Sequence, residues 1–142
     1  MAFIHPRPSY DPHILIVPTT PFAALVTPGM KVEDQSLRLW EMIELARAVI
    51  AVTPGVGWQM IVNGGIRQDV GQVHGHLVHA QEILPVNSVV EVADPSAGLV
   101  PWIALFDELT PAASRPDNGY SLIFDLATDG PVAAWITESR PA

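Results

Sequence analysis

The sequence predicts an α+β fold, an antiparallel sheet with one long helix packed on it. Three observations lead there. Residues 33–52 form the single long stretch with helical periodicity, in which Leu39, Ile43, Ala46 and Ile50 recur at three- and four-residue steps. Short β-prone apolar runs lie before and after it. Most of those runs are bounded by proline, glycine or asparagine turn signals. Strands, one helix, then mostly strands is the order expected of an antiparallel sheet covered on one face.

Each element has its own signal. Residues 1–12 carry three prolines and little periodicity, and read as an extended N-terminal arm lying on a partner subunit. HILIV at 13–17 reads as a buried strand ended by Pro18, and 22–26 as a second strand, the two pairing as a hairpin. In the helix Trp40 and Val49 widen the apolar stripe, Glu41, Glu44 and Arg47 fall on the other face, and Asp34 or Ser36 is placed to cap the start. Thr53-Pro54-Gly55 stops it. Trp58 to Val62 reads as a strand entering an Asn63-Gly64-Gly65 turn, and 73–79 as its antiparallel neighbour. SVVEV at 88–92 is a further strand, and 99–109 is ambiguous between strand and helix because of Pro101. Residues 120–126 and 132–137 read as strands of a hairpin around Asp129-Gly130. No linker or repeat divides the chain, so 1–142 is read as one domain.

Composition narrows the function. A net charge of −8 argues against a nucleic-acid surface and against docking on anionic lipid, both of which need a basic face. The absence of cysteine excludes disulfides, thiolate metal sites and a cysteine nucleophile. No apolar run approaches the ~20 residues that span a bilayer, and the first residues do not read as a signal peptide. A cytoplasmic, soluble protein is the expectation, with no nucleic acid and no membrane among its partners.

The stretch 58–80, WQMIVNGGIRQDVGQVHGHLVHA, carries three of the five histidines, His74, His76 and His79. Strand alternation puts His74, His76 and Val78 on one face, and Val73, Gly75, Leu77 and His79 on the other. Two imidazoles side by side, next to a glycine-rich stretch with backbone donors, form a site for a phosphate.

Several pieces in order, IVPTTPF, SLRLWEMIELARAVI, GWQMIVNGG and GQVHGHLVH, resemble the histidine-triad (HIT) family of nucleotide hydrolases and transferases. In that family a strand leads to an asparagine, then a glycine-rich loop, then a strand bearing His-x-His-x-His. The resemblance covers about half of the chain. More loosely, PWIALFDELTPAASRPDNGYSLIF followed by VAAWIT resembles the tail of the CDP-diacylglycerol pyrophosphatases of that family. Those enzymes are often membrane-anchored; no anchor is read here, and the lipid substrate is not carried over. The resemblance implies a HIT-like sheet and action on a nucleoside phosphate ester or anhydride. It implies a homodimer formed by joining sheets, and no cofactor. By position His74 is the orienting first histidine and His76 the second, close to the phosphate. Asn63 holds the phosphate or the nucleophile. Gly71 and Gln72 belong to the loop that offers N–H donors.

The family's nucleophile, the third histidine, attacks the α-phosphorus to form a nucleotidyl-histidine. That position is Val78 here, and His79 comes one residue late. Three expectations compete. Catalysis is lost and a nucleotide- or metabolite-binding pocket remains; a bulge at Leu77–Val78 brings His79 round to the nucleophile's place; or His76 attacks instead. A further alternative reads His74, His76 and His79 as metal ligands, with Glu82 or Asp69 as a carboxylate partner.

Overall fold

The computed structural model describes residues 2–4, 13–20, 22–27, 29–55, 57–65, 68, 71–79, 88–114, 119–126 and 131–139. The fold is α+β. Among the described residues seven strands, β1 (Ala2–Ile4), β2 (His13–Ile16), β3 (Trp58–Gly65), β4 (Gly75–His79), β5 (Ser88–Val92), β6 (Gly119–Asp125) and β7 (Val132–Ser139), join in the order β1-β2-β4-β3-β6-β7-β5. Every pairing is antiparallel. Two helices, α1 (Val32–Ile50) and α2 (Val100–Ala113), pack on one face.

Alternation along each strand decides which side chains meet the helices. Trp58, Met60 and Val62 of β3, Leu77 of β4, Leu122 and Phe124 of β6 and Ala134 and Ile136 of β7 share the helix face and are buried with it. Leu39, Met42, Ile43 and Ala46 of α1 and Trp102, Leu105, Phe106 and Leu109 of α2 close that core. A large apolar side chain taken fully out of water contributes roughly 1.5–3 kcal/mol. Trp40 and Trp102 meet edge to face, with ring centroids 6.5 Å apart, and tie α1 to α2. Trp102 also donates its indole N–H to the Ala93 carbonyl at 2.7 Å, which gives the polar edge of this buried ring a partner.

Several readings need correction. Residues 22–26 form no strand. Phe22 and Leu25 both enter the core, which extended alternation forbids for residues three apart. The segment's carbonyls are satisfied individually: Val73 N–H reaches Phe22 O, the Gln68 side chain reaches Ala23 O, and the Gln35 amide reaches Ala24 O and Leu25 O. The start of α1 is not capped by Asp34 or Ser36. Lys31 is its N-cap residue with no side-chain cap bond, and Ser36 Oγ donates back to Glu33 O. Arg47, expected on the solvated face, lies half-buried with its guanidinium 5.7 Å from the Trp40 ring centre.

Residues 99–109 are helical, and Pro101 sits in the first turn, where its missing N–H has no helical acceptor to lose. The Asn63-Gly64-Gly65 turn is absent as well. β3 continues through Gly65, because β6 pairs with it from Gln59–Asp125 to Gly65–Gly119. Of the stretch read as an arm, Ala2–Ile4 pairs with β2 as an edge strand, and 5–12 lie outside the described residues. The predicted hairpin is formed by β6 and β7, while its Asp129-Gly130 turn also lies outside them. Among the described residues no helix is long and apolar enough to cross a membrane.

Candidate functional site

β4 places the histidines, and its neighbours fix which way they face. It pairs one residue for one with β2 from His13–Val78 to Ile16–Gly75, and with β3 from Trp58–His79 to Val62–Gly75. No residue is doubled on either side, so there is no bulge at Leu77–Val78. Gly75 belongs to the helix face: a Cβ there would lie 2.8 Å from Met60 Sδ and 3.3 Å from Met42 Cε of α1. His79 shares that face with Leu77 and stands over Trp58, ring centroids 5.4 Å apart and tilted by 35°. The expectation that His79 swings into the nucleophile's place is therefore overturned. A regular two-residue period carries its imidazole to the opposite side from His74 and His76.

His74 and His76 do come together. Their rings meet edge to face on the sheet face away from the helices, with centroids 4.8 Å apart and planes at 68°. Both are half-buried. His74 Nδ1 lies 3.2 Å from the Gln72 carbonyl oxygen, so the backbone two residues earlier orients that ring. With Nδ1 donating there, Nε2 of the neutral ring is left as an acceptor, and in the imidazolium it is a donor.

The register sets what surrounds them. Leu15, His76, Ile61, Ile123 and Trp135 form one transverse row on this face. Val78, Gln59, Asp125 and Ala133 form the next, with Val78 fully buried and Gln59 nearly so. On the other side Asn63, Ser121 and Thr137 line up across β3, β6 and β7. Continued one step past Val62 and Gly75, the register sets Asn63 opposite His74. Ser121 Oγ donates to Asn63 Oδ1 at 2.7 Å. The site is thus two imidazoles flanked by a polar row and walled by apolar side chains.

The structure brings His74 and His76 together, sets Asn63 in the next row of the same sheet face, and separates His79 from them. Gly71 and Gln72 precede β4, Gly71 exposed and Gln72 half-buried. A Cβ on Gly71 would meet nothing within 4 Å, so its glycine is not required by close packing. Asp69 and Glu82, offered as metal partners, lie outside the described residues. No group of three or more metal-ligating side chains occurs among the described residues. The three-histidine metal set fails for the reason the bulge fails, since His79 is on the wrong face.

Ser121, Gln59, Asp125 and Thr137 were not singled out from sequence. The available signal was Ser121 and Asp125, two polar residues at even spacing inside an otherwise apolar strand, GYSLIFD. Only the register between β3 and β6 turns that spacing into a contact with Asn63. Tyr120, next to Ser121, points to the other face and packs over Gly64; burial pushes its phenol pKa up.

No family model matches the chain, and no curated protein or solved structure does either.

Proposed function

We propose that this chain is a HIT-like protein that binds the phosphate of a nucleotide, as an ester or an anhydride, at His74 and His76. What carries the reading is the pairing of those two rings, 4.8 Å apart on the helix-free sheet face, beside the side-chain amide of Asn63. An imidazolium supplies charge and a directed N–H, and an amide supplies neutral donors. Together they suit the equatorial oxygens of a phosphoryl group. The apolar row of Leu15, Ile61, Ile123 and Trp135 gives the remainder of the ligand a surface to lie on.

One arrangement favours a second reading, hydrolysis or nucleotidyl transfer through His76. Val78 fills the nucleophile's place with a side chain that cannot attack and His79 faces the other way, whereas His76 shares its face with a neighbouring histidine able to orient it. In that reaction a ring nitrogen of His76 attacks the α-phosphorus, and the leaving group departs with the electron pair of the broken bond and takes up a proton. Water then cleaves the phosphorus–nitrogen bond and restores the imidazole. A homodimer belongs to the same proposal and rests on the family resemblance; light scattering at micromolar concentration tests it.

Turnover separates the two readings. A nucleoside phosphoramidate, a dinucleoside polyphosphate and a CDP-alcohol are offered to the parent and to His76→Ala. Turnover by the parent that is lost in His76→Ala establishes catalysis. Binding of a nucleoside monophosphate without turnover establishes a binding protein. If the parent neither binds nor turns over any of these ligands, the proposal is wrong.

A further inference from the structure

The polar row beside the histidines contains a detail that bears on what the site accepts. A side-chain amide has a donor end and an acceptor end of nearly the same shape, so its orientation must be set by a partner. Asn63 lies on β3 between β4, which carries His74, and β6, which carries Ser121. Ser121 is almost fully buried, at 3% exposure, and its hydroxyl donates to Asn63 Oδ1 at 2.7 Å, a well-formed O–H···O distance. With the oxygen held toward β6, the NH2 group is left on the β4 side, where the register extended by one residue sets His74. The strand backbone holds both residues in place: Asn63 and Ser121 are register partners, and the ladder continues on either side of them through Val62–Leu122 and Gly64–Tyr120.

We infer that Ser121 is a positioning residue that fixes the Asn63 amide with its NH2 toward His74, so that the site accepts an anionic oxygen at that point. This deepens the proposal that His74 and His76 hold a phosphate, and rests on it. The chemistry selects by sign. A phosphate oxygen accepts from the amide and from an imidazolium at once. An ammonium or other donor-only group at the same point meets two donors and is excluded. Were the amide turned the other way, its oxygen would face the ligand and repel the same phosphate.

The test uses the whole chain, with sulfate as the anion because its charge is constant across the neutral range. The side-chain NH2 resonances of Asn63, identified by their loss in Asn63→Asp, are followed by two-dimensional NMR during a sulfate titration. In the parent they shift on sulfate addition. Ser121→Ala moves them before any sulfate is added and weakens sulfate binding about tenfold, the loss expected for one orienting hydrogen bond. Ser121→Thr keeps the hydroxyl and restores binding to within about threefold of the parent. Asn63→Asp retains an acceptor for Ser121 but abolishes sulfate binding. Unmoved Asn63 resonances in Ser121→Ala, or undiminished sulfate binding in Asn63→Asp, overturn the inference. If His76→Ala still abolishes sulfate binding in that case, the phosphate site itself stands. If the parent binds no sulfate, the site reading falls; the Asn63 shift in Ser121→Ala then still decides the orienting role.

Discussion

Gly64 is the residue on which the geometry beside the site can be tested most simply. It lies between Asn63 and the end of β3, opposite Tyr120 on β6, and the Tyr120 ring covers the place its Cβ would occupy. A Gly64→Ala side chain overlaps the ring atoms Cζ and Cε2 and the hydroxyl, so the ring must swing aside. Tyr120 is 4% exposed. A buried tyrosine hides on the order of 200 Å². If half of that is uncovered, ~100 Å² at ~25 cal/mol per Å² gives about 2.5 kcal/mol of lost stability. With a urea m-value of roughly 2 kcal/mol/M, the midpoint should fall by about 1.2 M. Gly71→Ala is the control, since nothing lies within 4 Å of its Cβ and its backbone is not in the left-handed region. Its midpoint should stay within about 0.3 M of the parent. In a Tyr120→Ala background the cost of Gly64→Ala should drop below about 1 kcal/mol, because the obstacle is gone. A Gly64→Ala shift no larger than that of Gly71→Ala would contradict the packing of Tyr120 over Gly64, and with it the β3–β6 register that joins Asn63 to Ser121.

Two further outcomes follow from the faces of the strands. His79→Ala should cost about 0.5–1.5 kcal/mol by urea unfolding, through loss of its ring contact with Trp58, and should leave anion binding unchanged. A tenfold loss of binding in that variant would put His79 back in the site. Tyr120 has its pKa raised by burial, so the neutral phenol is favoured in the folded chain. Its contribution is fully present below the ordinary tyrosine value of about 10 and is lost as pH rises through the raised folded value. Stability should therefore decline above about pH 10 in the parent, and less steeply in Tyr120→Phe, when followed by denaturant unfolding at a series of pH values.

Much of the fold was legible because it depends on periodicity. The stripe through Leu39, Ile43 and Ala46 predicted α1, and alternation in 73–79 assigned every β4 side chain to its observed face, His79 included. The failures share a different cause. Asn63-Gly64-Gly65 has the composition of a turn, but the partner strand β6 and the Tyr120 ring make it the end of a strand. Phe22 and Leu25 belong to a loop that side chains from Gln35 and Gln68 hold in place, and no local pattern announces such donors. The same holds at the site. His74, His76 and Asn63 stood out as residue types, whereas Ser121 became visible only once a strand 58 positions away had its register.

Calorimetric titration with a nucleoside monophosphate and with sulfate reads directly whether a phosphate group binds at His74 and His76. An imidazolium holds an anion better than a neutral imidazole does, so sulfate affinity should be higher in acid than in base. His76→Ala should abolish binding of both ligands. His74→Ala should weaken it, and His79→Ala should leave it unchanged. The parent should bind both ligands, His76→Ala should bind neither, and His79→Ala should bind both. Binding that survives His76→Ala, or that depends on His79 instead, would contradict a phosphate site at His74 and His76.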